Sequence, residues 1–223
     1  MASNPEEIKN DILDQLSWDT RVEASEIKVD LSSGRIILWG TVPSYVSRWF
    51  AEQDARSVAA GKLEVRNQLV VRLPEETKPL SDDDITTAVK NVLMWNPVIE
   101  SANIEVVVVR GLVTLEGTVD AYWKKMRVEN LVSGIRGVLD IINRISVVPT
   151  RNFLDETIAR DIVRAVSRTL AVDMSHIDIR VENGLVTLTG KAPNRLASYV
   201  VESTAQHSPG VMDVKNNIVV DKP

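Results

Sequence analysis

The feature that most constrains this chain is an internal repeat that occurs three times within its 223 residues. Three apolar segments of one pattern each end in a glycine, and these glycines, Gly40, Gly117 and Gly190, are 77 and 73 residues apart. Another glycine precedes each of them by six positions. A period of this length indicates one small structural module, so we expect the chain to fold as three similar modules in tandem.

Each copy contains the same order of helix and strand patterns. Apolar residues four positions apart, such as Ile85, Val89 and Leu93, predict a first amphipathic helix. An alternating segment, a glycine-containing turn such as Asn183-Gly184 and a second apolar segment then predict a β-hairpin. A second helix is predicted at 44–60, 121–136 and 195–207, and a last strand at 65–73, 139–148 and 211–220.

The chain is therefore predicted to be α/β (α+β), with three tandem α-β-β-α-β modules. Because a helix joins the second and third strands, these strands should be parallel and lie beside an antiparallel hairpin. Each module then has a small mixed three-stranded sheet that is covered by two helices. Short linkers that contain proline set the predicted domains at 1–74, 80–149 and 153–223.

Composition excludes several classes of function. The chain has no cysteine, which excludes disulfides, thiolate metal sites and a cysteine nucleophile. Its net charge of −5 argues against a nucleic-acid partner, which requires a basic surface. The segment from Met1 to Glu7 shows no export signal, so we expect a cytoplasmic protein, or a periplasmic one if a leader has been removed.

No catalytic, cofactor or metal site is predicted. The two histidines, His176 and His207, have no counterparts in the other copies, so we expect structural or surface roles. The first glycine of each copy lies between two strands, and no Gly-Lys-Ser/Thr follows the second, which does not fit a phosphate-binding loop. A glutamate recurs 12 residues after each second glycine without a recurrent partner acid or base, so no catalytic pair is indicated and a hydrogen-bonding role on the helix surface or to a turn is expected. A recurrent asparagine that precedes or begins the last strand is expected to fix a turn.

One segment is a candidate contact for a lipid or a protein partner. Tyr122, Trp123, Lys124, Lys125 and Arg127 combine aromatic rings and cations at the start of the second helix of the middle copy. Such a combination suits a lipid headgroup interface. The alternative is that the aromatic side chains pack on the sheet or on the next module while the cations face water.

Two further tryptophans occupy matching positions after the first helix. Trp18 is followed by Asp19, and Trp95 by Asn96, whereas the third copy has no tryptophan in this segment. We expect these tryptophans to cap the core or to be buried against a neighbouring module.

The module resembles the BON domain, which is named for bacterial osmotically inducible and nodulation proteins. The resemblance depends on the pattern Gly-x-Val/Ile-x-Leu-x-Gly at 34–40, 111–117 and 184–190. It also depends on a Gly-Val…Val/Ile-x-Asn-x-Ile/Leu segment at 137–145 and 210–218, from which the first copy departs at 61–65.

This resemblance implies a non-enzymatic α-β-β-α-β module that associates with phospholipid or cell-envelope components under stress. Many members are exported to the periplasm, and this sequence departs from them because it shows no export signal. The leading hypothesis is thus a binding module for a phospholipid membrane or an apolar ligand in an envelope or osmotic stress response. The alternative hypothesis is a protein–protein interaction scaffold built from three packed modules.

Overall fold

The computed structural model describes residues 5–32, 34–59, 63–73, 80–169 and 176–220. The first module contains α1 (Pro5–Trp18), β1 (Ile27–Ser32), β2 (Arg35–Val42), α2 (Tyr45–Ala59) and β3 (Glu64–Val71). The second contains α3 (Asp82–Met94), a short 3-10 helix (Ser101–Asn103), β4 (Ile104–Val109), β5 (Leu112–Val119), α4 (Tyr122–Ser133) and β6 (Asp140–Val147). The third contains α5 (Asp155–Ser167), β7 (Ile177–Glu182), β8 (Leu185–Ala192), α6 (Arg195–Gln206) and β9 (Asp213–Val220).

The predicted mixed α/β modules are confirmed. In every module the first two strands pair antiparallel, and the second and third strands pair parallel, so the second strand is central. The helices cover one face of each sheet, where alternate strand residues are buried. The helix predicted at 121–136 ends earlier, because Gly134 caps α4 and Gly137 has a positive φ of 93°.

The first helix of the second module shows how the sequence sets a helix start. Ser81 caps α3, and its side chain exchanges capping-box hydrogen bonds with Asp84. The next residue, Asp82, accepts hydrogen bonds from the backbone amides of Arg110 (2.7 Å) and Gly111 (2.9 Å) in the hairpin turn. These amides, that of Gly111 first, hold the pKa of Asp82 below its usual range.

The third module repeats this link between helix and hairpin. Asp155 accepts from the backbone amides of Asn183 (2.7 Å) and Gly184 (3.0 Å). In the first module, Pro5 stands at the matching sequence position and brings no carboxylate. The helix start is therefore tied to the turn by an aspartate in two of the three modules.

The glycine that ends each hairpin signature is required by a close approach of two backbone segments. Gly117 has a φ of 134°, and a Cβ atom there would overlap with the carbonyl oxygen of Asn103. Gly40 and Gly190 have the same conflict with the carbonyl oxygens of Glu26 and His176. No side chain fits at these positions unless the backbone moves.

We predict that Gly117→Ala lowers the free energy of unfolding by about 2–4 kcal/mol, because it adds both a steric overlap and a strained φ. Gly134→Ala is the matched control, since Gly134 has a helical φ of −79° and the nearest atom to an added Cβ is 3.9 Å away. The control should change stability by less than about 1 kcal/mol. Urea denaturation followed by circular dichroism measures both, and equal effects of the two variants would contradict the prediction.

Candidate binding surfaces at the ends of the modules

The recurrent glutamate and asparagine are partners of each other. Asn143 lies within β6, and its Nδ2 donates to Oε2 of Glu129 on α4 over 3.0 Å. Its Oδ1 accepts from the backbone amide of Ile145 at 3.2 Å. The same glutamate–asparagine bond occurs between Glu52 and Asn67 (3.0 Å) and between Glu202 and Asn216 (2.9 Å).

This bond corrects one prediction made from the sequence. The asparagine does not fix a turn, because it is the fourth residue of the last strand in every module. The recurrent partner of the glutamate is this asparagine, an amide rather than an acid or a base. The pair fastens the second helix onto the edge of the sheet, so its recurrence has a structural cause.

The start of each second helix contacts another module of the chain. We call its first two residues the front of the module; the fronts are Tyr45–Val46, Tyr122–Trp123 and Arg195–Leu196. Tyr45 is only 8% exposed. Burial and the carboxylates of Glu129 and Asp140 in the second module raise the pKa of Tyr45 above its usual range.

An ion pair adds to this first interface. Nη1 of Arg48, one turn along α2, lies 3.0 Å from Oδ1 of Asp140. The Arg48 side chain is mostly covered, so the pair is better shielded from solvent than an ordinary surface ion pair.

The second interface repeats the first with different side chains. Tyr122 is also 8% exposed. Burial raises the pKa of Tyr122 above its usual range, and so do the negative charge of Asp213 in the third module and the hydrogen bond that the Tyr122 hydroxyl donates to it. The Trp123 indole stacks on the His207 imidazole, with ring centroids 6.3 Å apart and an angle of 12° between the planes.

The front of the third module returns to the first module. Nη1 of Arg195 donates to Oε1 of Gln15 on α1 over 2.5 Å. This contact brings together residues 180 positions apart in sequence. It covers little apolar surface, because Leu196 and Tyr199 remain 62% and 66% exposed.

The candidate contact segment at the start of α4, residues 122–127, lies partly within the second interface. Tyr122 and Trp123 pack on the third module, as described above. The Lys124 side chain is 16% exposed, and its Nζ lies 2.7 Å from Oδ1 of Asp120. Lys125 is half-buried and Arg127 is exposed. The structure thus places the aromatic part of the segment within an interface and leaves one of the five side chains, Arg127, exposed.

Trp18 and Trp95 are exposed instead, and the expectation that they are buried is wrong. Their exposed fractions are 83% and 79%. Each lies two residues beyond the last buried position of its helix, Leu16 or Leu93, and two residues correspond to about 200° of helical rotation. Counting along the apolar stripe therefore predicts that both indoles point away from the core.

The third module carries cations in the corresponding region. Arg168 occupies the position that matches Trp18 and Trp95. It lies with Arg164, Asp161 and His207 along an open groove of about 670 Å³ between α5 and α6. His207 Nδ1 is 2.7 Å from the carbonyl oxygen of Ser203.

The described residues give no sign of a metal centre or a spanning helix. No cluster of three or more histidine or acidic side chains among them has the geometry to hold a metal ion. None of the helices described is long and apolar enough to cross a membrane.

One acidic side chain lies in an unusual environment beside the Arg195 contact. Oδ1 of Asp54 on α2 accepts from Nε2 of Gln15 over 3.2 Å. Burial and the nearby charge of Asp19 raise the pKa of Asp54 to about 6, although Arg21 and Arg195 oppose the shift. The Asp19 carboxylate, which binds Arg21 at 2.6 Å, has a lowered pKa instead.

A family model for the BON domain matches residues 4–72, 81–149 and 154–222. The chain belongs to the BON domain family. The three matches follow the three structural modules, so each BON domain here is one α-β-β-α-β unit with its own sheet.

Among characterised proteins, this BON chain is similar to osmotically-inducible protein Y of Escherichia coli strain K12. The two are 26% identical over 147 residues, which is 62% of this chain and 72% of that protein. Two structures of CdsD, a structural protein of the type III secretion system of Chlamydia trachomatis, give TM-scores of 0.26 and 0.27 at 15% and 14% identity. The alignments cover 96% of this chain in both cases and 96% and 92% of the CdsD chains.

We predict that Asp54→Asn stabilises the protein at pH 7.5 by about 1–2 kcal/mol, a value reduced for the partial exposure of the side chain. The folded state binds the proton of Asp54 more tightly than the unfolded state, whose pKa is near 3.8. The wild type therefore loses stability as the pH rises from about 4 to about 6. Asparagine keeps an oxygen that can accept from Nε2 of Gln15. Because asparagine does not titrate, the variant does not lose stability over this pH range.

Urea denaturation between pH 4 and pH 8 measures the difference between the two proteins. The difference in free energy of unfolding should be near zero at pH 4 and reach its full value above pH 7. Asp14→Asn, on the exposed side of α1, is the control for the removal of one negative charge. A constant difference across the pH range would show that burial of the Asp54 charge is not its cause.

Proposed function

We propose that this BON protein binds the surface of phospholipid membranes, with Trp18 and Trp95 as the side chains that enter the lipid interface. The observation that carries the proposal is the exposure of both indoles at the same position of two modules. A large exposed aromatic side chain is costly in water, and one that recurs in two copies without a structural partner marks a contact surface.

The chemistry of indole suits this role. Its ring is apolar and its N–H group is polar, so tryptophan partitions to the boundary between headgroups and acyl chains. Met94, directly before Trp95, is 60% exposed and enlarges the apolar contact. Trp18, Trp95 and Arg168 occupy matching positions of the three modules.

The third module would contribute charge rather than an aromatic side chain. Arg164 and Arg168 line the groove between α5 and α6, and their guanidinium groups suit a headgroup phosphate. The chain as a whole is acidic, at −5, so binding should depend more on the tryptophans than on long-range attraction.

The similarity to an osmotically inducible protein supports a role in osmotic or envelope stress. We propose that the role is binding and not catalysis. The recurrent carboxylates accept hydrogen bonds from the asparagines of the last strands, which gives them a structural role.

We predict that Trp18→Ala combined with Trp95→Ala reduces binding to phospholipid vesicles at least tenfold, because most of the inserted apolar area is lost. Co-sedimentation with neutral phosphatidylcholine and with anionic phosphatidylglycerol vesicles measures the effect. Trp39→Ala is the matched control, since Trp39 is an exposed tryptophan on a sheet, where it packs with Lys28. The control should bind like the wild type.

Replacement of Arg164 and Arg168 by glutamine separates the two contributions. It should weaken binding to anionic vesicles and leave binding to neutral vesicles almost unchanged. Absence of wild-type binding to either vesicle at low salt would refute the proposal. Binding that the double tryptophan variant retains in full would show that another surface is used.

A second candidate function, a protein–protein interaction scaffold, is favoured by the outer face of the middle sheet. Val107 and Ile142 are exposed there. The matching positions are charged in the other modules, where Asp30 and Arg66, and Arg180 and Lys215, occupy them. Replacing Val107 by Asp and Ile142 by Arg copies the first module. If this face recruits a protein, cross-links formed there in cells should disappear in that variant while vesicle binding persists.

A further inference from the structure

The first interface contains a cleft whose lining includes neither Trp18 nor Trp95. It has a volume of about 600 Å³ and separates the front of the first module from the end of α4 in the second. Its walls come from residues 43–46 and Leu73 on one side and from residues 133–138 on the other. Clefts of this volume are in the range that proteins use for small ligands.

The second interface shows why this cleft exists. Val46 in the first interface and Trp123 in the second both lie six residues after the second glycine of their modules. Gly134 and His207 match in the same way, both 17 residues after that glycine. In the second interface the Trp123 and His207 rings stack on each other. In the first, valine and glycine stand at the two positions, and the space between the modules is left open.

The backbone is the same in the two places. Gly134 caps α4 with φ −79° and ψ −4°, and His207 caps α6 with φ −95° and ψ −1°. A Cβ atom on Gly134 would approach no atom closer than the carbonyl oxygen of Leu131, at 3.9 Å. Neither the backbone conformation nor the available space therefore requires glycine at position 134. The absence of a side chain there leaves the cleft open, whereas the His207 ring stands at the matching position of the second interface.

The walls of the cleft suit a flat apolar ring. Val46, Leu73, Ile135 and Val138 are apolar, and the Tyr45 ring lies among the lining residues. Arg136 brings a positive charge to the same lining. An aromatic ring with a carboxylate substituent matches both features, because the ring contacts the aliphatic walls and the carboxylate pairs with a guanidinium.

We propose that the cleft between the first and second modules binds a small aromatic molecule that carries a carboxylate, with its ring in the place that the Trp123 indole occupies in the second interface. The lining of this site contains neither of the tryptophans that the proposed membrane contact depends on.

The test uses the full chain with indole and indole-3-acetate as probes, and amide chemical shifts in NMR spectra as the readout. Saturable shifts should appear at Gly134 and Gly137, and indole-3-acetate should bind several-fold more tightly than indole. Val46→Trp combined with Gly134→His fills the cleft with the side chains of the second interface. This variant should lose at least tenfold in affinity.

The reverse exchange is the matched control. Trp123→Val combined with His207→Gly opens the second interface, and new shifts should then appear near residue 207 while the first site still binds. If the filled variant does not fold, Val46→Phe alone serves the same purpose, and its amide spectrum reports its fold.

Three outcomes would overturn the proposal. They are no saturable shift at millimolar probe, shifts that map outside the cleft, and undiminished binding to the filled variant. The variant that lacks Trp18 and Trp95 should bind indole-3-acetate as the wild type does. Failure of the membrane proposal can therefore be distinguished from failure of this one.

Discussion

The hydrogen bond between the glutamate of each second helix and the asparagine of each last strand is the interaction on which the larger architecture depends. It holds the helix at a fixed height on the sheet, and in the middle module the asparagine also binds the carbonyl group of Lys125 on that helix. Because the same bond positions the second helix in each module, the first residue of that helix takes an equivalent place in each. In the first two modules this residue is a tyrosine, Tyr45 or Tyr122, which is buried next to charged residues of the following module.

The three copies share what folds them and differ where they meet other surfaces. Buried isoleucine, leucine and valine residues, the close-approach glycines and the glutamate–asparagine pairs recur in each. The variable positions are those beyond the core: a tryptophan or Arg168 after the first helix, valine or tryptophan at a front, and Val107 or a charged residue on the outer sheet. A repeat array of this kind keeps its stability in common residues and is free to acquire different surfaces.

Much of the fold follows from the sequence, because periodicity and glycine spacing report local geometry. The order of elements, the parallel crossover and the buried stripe of α3 were all predictable from the chain alone. The inter-module contacts were not. Whether Tyr122 and Trp123 face lipid or a neighbour depends on the placement of another module, which no local pattern encodes. The exposure of Trp95 was predictable in principle from its position two residues beyond Leu93, but a general preference for burying aromatic residues pointed the other way.

Arg195 distinguishes the front of the third module from the other two. A front-to-back contact gives a ring when the rotation between units closes, and a filament when it does not. In the first two modules the residue at that contact is a tyrosine, which is buried. In the third it is an arginine, whose charged guanidinium is costly to bury and which bonds to Gln15 of its own chain. This bond turns the third front back onto the first module, so the series of contacts within the chain closes on itself.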